Sequence, residues 1–266
     1  TLPQTAQNET RVLERMAQAI AAYASSAEVN PFSSKYDAYL RGQVELTQAE
    51  ARGLVLYEGR ANCKSCHPHR PSADGQPPLF TDYTYDNLGI PRNAQNPFYR
   101  MPREFNPDGA QYVDFGLGAI LKDPKQNGKF KVPTLRNVDR RPGPHVVKAY
   151  GHNGYFKSLK EIVHFYNARD TAPEDFGPPE VPATVNREEL GSLGLTDAEE
   201  DDVVAFLRTL TDGYRVPGGI QHADGEGPAA SEDDDASFNG AQDVIRVMRF
   251  IQRQRIANQP DGPQRR

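Results

Sequence analysis

Cys63-Lys64-Ser65-Cys66-His67 holds both cysteines of this 266-residue chain. The run is C-x-x-C-H, the spacing of a c-type haem attachment site. One helical turn separates the thiols, so each can bond one of two vinyl groups on a porphyrin edge. The histidine that follows then lies beneath the iron and can serve as proximal ligand. Three other readings compete for these residues. A thioredoxin-like pair calls for a preceding strand and has no need of the histidine. A zinc site needs four ligands, and no second Cys or His pair stands at a suitable spacing. A disulfide across three residues would be strained and would close almost no loop. One covalently held haem c is the expectation.

Working outward from the motif, Thr47 and Glu50 have the spacing of a reciprocal capping box. Leu54, Val55 and Tyr57 follow, so a helix is expected to run into the motif. Further upstream, Val12, Leu13, Met16, Ile20 and Tyr23 share one face of a helix expected over 9–27, and a shorter helix is expected over 34–41. From about Pro68 to Pro133 the chain is rich in Gly, Pro, Asn and Asp without a sustained period. Long loops with short extended pieces at most are expected there. Ser158 with Glu161, and Thr196 with Glu199, repeat the capping spacing. The first opens a helix with Leu159, Ile162, Val163, Phe165 and Tyr166 inward. The second opens one striped with Val203, Val204, Phe206, Leu207 and Leu210. The fold class expected is all-α: a cytochrome c-like haem domain over 1–217, with long loops and few strands. An acidic, Gly-rich linker is expected over 218–237, and a candidate C-terminal helix and tail over 238–266.

Composition agrees with this reading. Hydrophobic residues make up 37% and charged residues 25%, Gly and Pro number 22 each, and Trp is absent. A porphyrin adds apolar surface to such a modest core. The formal charge of -5 gives no reason to expect nucleic-acid binding. No stretch is long enough to span a membrane, and no signal peptide is present. The first residue is Thr1, so a leader is expected to have been removed or the chain trimmed. Because covalent haem is attached outside the bacterial cytoplasm, the periplasm is the expected location.

Five stretches resemble the C-terminal haem domain of bacterial di-haem cytochrome c peroxidases and the MauG enzymes. They are Leu46–Glu50 leading into Cys63–His67; Leu79–Asp82 with Asn87–Pro91; Val132–Val138; His152–Gly154 running through Phe165-Tyr166-Asn167; and Leu195–Glu199 running to Leu210. They keep the family's order over roughly residues 10–215. Those enzymes carry two C-x-x-C-H motifs, whereas this chain has one, matching their electron-transferring domain. The resemblance implies single-electron transfer with a redox partner protein or a second haem domain. Its alternative is half of a peroxidase or maturase acting with that second haem. Slow peroxide turnover by the chain alone goes with the first reading.

The resemblance also frames the sixth iron ligand. The peroxidases place a methionine on the helix after the His-x-Gly turn, and counting from His152 that place falls on Tyr166. MauG-type enzymes have a ligating tyrosine there. A phenolate favours ferric or higher states, whereas a thioether favours ferrous iron. Packing of Tyr166 on the porphyrin edge is the competing reading. Met101, in a loop able to fold over the haem, is the rival ligand. Met16 and Met248 read as core or helix-face residues. His152 is a pocket candidate for hydrogen bonding. Arg136 is a candidate partner of a haem propionate or a solvated arginine. His69, His145, His164 and His222 show no metal spacing and read as surface residues. Asp82 and Asp86 are a weak candidate pair for calcium.

Overall fold

The computed structural model describes residues 6–217, apart from 142, 144, 145 and 147. The linker and tail expected over 218–266, and with them His145, His222 and Met248, lie outside the described residues. The motif belongs to a compact unit, Phe32–Gly219, and residues up to Pro31 belong to a second unit. In that second unit α1 (Ala6–Ala24) forms the helix that the apolar period predicted, starting three residues earlier than expected. Its apolar stripe is exposed, with Leu13 at 64% and Ile20 at 65%. Periodicity sets a helix's face, not what packs on it.

In the compact unit the helices begin where short-range capping chemistry allows. Ser34 caps α2 (Lys35–Leu40) in a reciprocal box closed by Asp37 rather than Glu or Gln. Thr47 with Glu50 opens α3 (Gln48–Glu58), and Thr196 with Glu199 opens α6 (Asp197–Arg208). Ser158 caps α5 (Leu159–Ala168), but this box is half made. The Glu161 carboxylate reaches one residue too far and accepts the Lys157 N–H at 2.6 Å. Each cap satisfies orphaned N–H groups of a first turn and stabilises it by about 1 kcal/mol.

Helix α6 is central: α3 packs on it closely and α5 packs beside it. The α3–α6 approach is set at Gly53, where a Cβ would lie 1.9 Å from the carbonyl oxygen of Asp202. No residue but glycine fits there. Next to this crossing Phe206 takes the edges of Tyr57 and Tyr36 at 5.0 and 5.3 Å between ring centres. Phe80 completes this buried group, 5.6 Å from Tyr36.

Between α3 and α5 the chain is mostly loop, as its Gly, Pro and Asn content predicts. Among the described residues it carries one short α-helix, α4 (Leu117–Leu121), several 3-10 turns and a two-stranded antiparallel ribbon. Strand β1 (Tyr85–Asp86) pairs with β2 (Phe130–Lys131), Tyr85 opposite Lys131 and Asp86 opposite Phe130. The all-α expectation is therefore corrected to a mostly helical fold with a small sheet. Among the described residues no helix is long and apolar enough to cross a membrane.

Gly53→Ala should force α3 and α6 apart. Overpacking of this kind costs about 1–3 kcal/mol, and the backbone contact places it at the upper end. Urea unfolding of the two proteins measures the difference, and equal midpoints would mean the helices can slide without loss.

Candidate haem site

Helix α3 delivers the motif. The chain leaves it at Gly59, turns through Asn62 in the left-handed region (φ 53°) and enters a single 3-10 turn, Cys63–Ser65. The His67 N–H then donates to the Cys63 carbonyl at 2.9 Å, so the motif is one closed turn. Cys63, Cys66 and His67 line a cavity of about 500 Å3. Both thiols are unpaired. Burial pushes Cys63 up to about 12 and Cys66 up to about 11, the carboxylates of Glu189, Asp82 and Asp86 adding to the second. A dithiol redox site needs the opposite shift, towards thiolate, and it follows a strand rather than a helix. Among the described residues no three His, Cys, Asp or Glu side chains gather to hold a metal ion. Asp82 instead accepts from Thr84, and Asp86 from Asn87 and Asn186.

The His67 ring is fixed in one tautomer. Its Nδ1 lies 2.7 Å from the carbonyl oxygen of Phe80. A carbonyl only accepts, so Nδ1 carries the proton and Nε2 carries the ring's lone pair. Burial holds the imidazole below its ordinary pKa, although the Phe80 bond, the Asp82 charge and the Pro133 carbonyl work against this.

Helix α5 supplies another wall. Leu159, Ile162, Val163 and Tyr166, at i, i+3, i+4 and i+7, all line the same cavity. Val203 and Leu207 of α6 add a further apolar strip. Among the described residues the Tyr166 hydroxyl has no hydrogen-bond partner. Burial raises its pKa, with the two thiols and Asp86 adding to the shift, so the phenol keeps its proton. An attachment turn, an imidazole of fixed tautomer and apolar walls together fit a porphyrin.

The remaining candidates separate. His152 lines the cavity and lies flat on Phe130, ring centres 3.6 Å apart. Met101 is 41% exposed and does not line the cavity. Its loop is held by the Asn106 side-chain amide, which donates to the carbonyls of Phe98 and Gly109. Arg136 borders the cavity, but its guanidinium fork closes on Asp37 at 3.0 and 2.9 Å and its Nε donates to the Pro78 carbonyl. Arg136 is thus buried and paired, not solvated. His69 is not a surface residue: it is 5% exposed and its Nε2 meets Glu58 at 2.6 Å. His164 is part-buried, with Nδ1 2.8 Å from Glu200. Sequence reading missed the Phe80 carbonyl, because any residue carries one and only the chain path aims it. It also missed Tyr57, whose hydroxyl donates to the His67 carbonyl at 2.5 Å.

Two outcomes follow from this geometry. Haem should stay with the protein through acid-acetone extraction, and Cys63→Ser or Cys66→Ser should weaken that retention; free extraction from the unmodified protein would contradict thioether attachment. Separately, Asp37→Ala strands the Arg136 charge in the core and should cost about 3–5 kcal/mol by urea unfolding, whereas joint replacement of both by apolar residues should cost less. Burial raises the Asp37 carboxyl, but the bonds from Arg136 and Ser34 outweigh it and hold the group below its ordinary 3.8. A carboxyl depressed in the fold stabilises above its unfolded value and loses that stabilisation as pH falls through its folded one. Stability should therefore decline below pH 3.8, and Asp37→Ala should lack this part of the decline.

No protein-family model matches the chain. The methylamine utilization protein MauG of Paracoccus denitrificans (strain Pd 1222) is 38% identical to it over 215 residues, which is 76% of this chain and 52% of that one. The cytochrome-c peroxidase IdrP1 of Denitromonas iodatirespirans is 32% identical over 231 residues, covering 78% of this chain and 55% of the relative. Among solved structures, the diheme peroxidase BthA from Burkholderia thailandensis E264 superposes with a TM-score of 0.60 at 33% identity, over 76% of this chain and 52% of that one. A tyrosine-to-methionine variant of BthA gives a TM-score of 0.58 at 35% identity, over 72% and 48%. The chain spans about half the length of these relatives. Over that shared length, in order of motifs and in fold, it belongs to the family of di-haem cytochrome c peroxidases and MauG.

Proposed function

We propose that this chain is a c-type cytochrome domain that carries one covalent haem and passes single electrons. It acts as the C-terminal, electron-transferring part of a di-haem system, in the periplasm. The observation that carries the reading is one apolar cavity lined at once by Cys63, Cys66, His67 and Tyr166. Bound haem supplies a one-electron iron couple. The two thiols hold it: each adds across a vinyl group, sulfur to one carbon and the thiol hydrogen to the other, so attachment consumes no oxidant. His67 offers Nε2 from below, its other nitrogen tied to Phe80. The stripes on α5 and α6 keep water away, which limits solvent reorganisation around a change of charge.

Tyr166 is the distal ligand in this reading. It lines the cavity together with Cys63, Cys66 and His67, on the helix that supplies the apolar wall. Ligation requires loss of the phenolic proton that burial otherwise retains. His152, on the same cavity, is the nearby group able to exchange a hydrogen bond with bound haem or with Tyr166.

A second reading makes the chain half of a peroxidase or maturase acting with a second haem domain. It is favoured by the kinship with diheme and cytochrome-c peroxidases, and by this chain's single motif over about half their length. In either case His67 and Tyr166 would both be available to hold the iron, so peroxide turnover by the chain alone should be slow.

Haem content per polypeptide, with optical and electron spin resonance spectra of the wild type and Tyr166→Phe, tests the proposal. One haem per chain is expected, with a phenolate-type ferric spectrum that changes markedly in the variant. An unchanged spectrum would remove Tyr166 from the iron. Fast peroxide turnover by a verified single-haem preparation would overturn the electron-transfer reading.

A further inference from the structure

The strap Pro78–Asp82 runs beside the proximal histidine, and each of its residues is tied down. The Pro78 carbonyl accepts from Arg136 Nε at 2.7 Å and the Leu79 carbonyl from Thr134 Oγ1 at 2.6 Å. The Phe80 carbonyl accepts from His67 Nδ1 at 2.7 Å. Thr81 Oγ1 donates to the Val132 carbonyl at 2.7 Å, and the Asp82 N–H donates to the Cys66 carbonyl at 3.0 Å. The strap thus joins the attachment turn to the Val132–Arg136 segment.

Within it Phe80 has φ 53°, the left-handed region that a bulky L-residue avoids. Its ring is 1% exposed. It sits 5.6 Å from Tyr36 and 6.4 Å from Tyr57, with the Arg136 guanidinium 5.8 Å from its centre. The buried ring explains why the strained backbone persists, and that backbone aims the carbonyl at His67. From the other direction the Tyr57 hydroxyl, on α3, donates to the carbonyl of His67 itself. One ligand is therefore held at its ring by Phe80 and at its backbone by Tyr57, two residues whose rings also pack together.

We propose that Phe80 and Tyr57 are positioning residues that clamp His67 at two points and so set the reduction potential of the iron it holds. The inference rests on the reading of His67 as haem ligand. A carbonyl drawing on the Nδ1 proton makes the imidazole a stronger donor through Nε2, which favours ferric iron. Loosening either point lets the ring tilt and the hydrogen bond lengthen, and the potential rises. A purely structural role would lower stability and leave the potential where it was.

The test uses the haem-loaded protein, with Phe80→Ala and Tyr57→Phe. Readouts are the midpoint potential and the solvent-exchange rate of the His67 Nδ1 proton, followed as a hyperfine-shifted resonance. Phe80→Ala should raise the potential and speed exchange by about tenfold, the equivalent of one lost hydrogen bond. Tyr57→Phe keeps the ring and removes only the hydroxyl, so it should fold and shift both readouts in the same direction by less. A folded, haem-loaded Phe80→Ala with unchanged potential and exchange overturns the clamp. If Phe80→Ala does not fold, unchanged values in Tyr57→Phe overturn it instead. A wild-type preparation lacking the pyridine haemochrome of haem c would sink the ligand reading itself, and is thereby distinguished from failure of the clamp.

Discussion

The contact between Gly53 and the Asp202 carbonyl is the constraint on which much of the compact unit depends. It lets α3 lie directly on α6, and Arg52 beside it closes two 2.7 Å bonds on the Asp202 carboxylate. With that distance set, Tyr57 reaches Phe206, and the end of α3 is placed where the attachment turn must begin. A wider crossing would move the thiols and His67 away from the walls that α5 and α6 supply. Backbone-to-backbone packing of two helices thus determines where a cofactor can be held.

The charges buried around this core are paired, as the low dielectric requires. Asp37 takes both arms of Arg136 together with the Ser34 N–H and hydroxyl. Arg169 spends its donors on Asp170 and the carbonyls of Leu88, Asn186 and Leu190, which fixes the loop ahead of α6. Glu200, almost fully buried, receives Asn167, His164 and Lys160. The cavity itself is left apolar on the α5 and α6 walls. Acidic groups gather instead towards Cys66, where Asp82, Asp86 and Glu189 raise its thiol.

The chain matches its relatives over about half their length, and its proposed chemistry has the same partial character. His67 and Tyr166 both line the cavity.

The residues legible in the sequence were those whose chemistry acts at short range. Cys63, Cys66 and His67 announce themselves because thioether spacing is one turn of chain. Ser34 aside, the caps at Thr47, Ser158 and Thr196 were readable because a capping bond joins residues three apart. The 3.6-residue period placed Leu159, Ile162, Val163 and Tyr166 together before any fold was known. The Asp37 partner of Arg136 was out of reach because it lies 99 residues away, and His69 was misread because the tertiary core closes over it. Met101 was a plausible ligand by type, and only the path of its loop keeps it from the cavity. The acceptor for His67 was invisible, since a backbone carbonyl has no sequence signature and its aim depends on the left-handed turn at Phe80. The sequence by itself determined which cofactor the chain is built to hold, because covalent spacing is local. Tertiary structure alone decided what surrounds that cofactor, because the walls and the hydrogen bonds come from segments that only packing brings together.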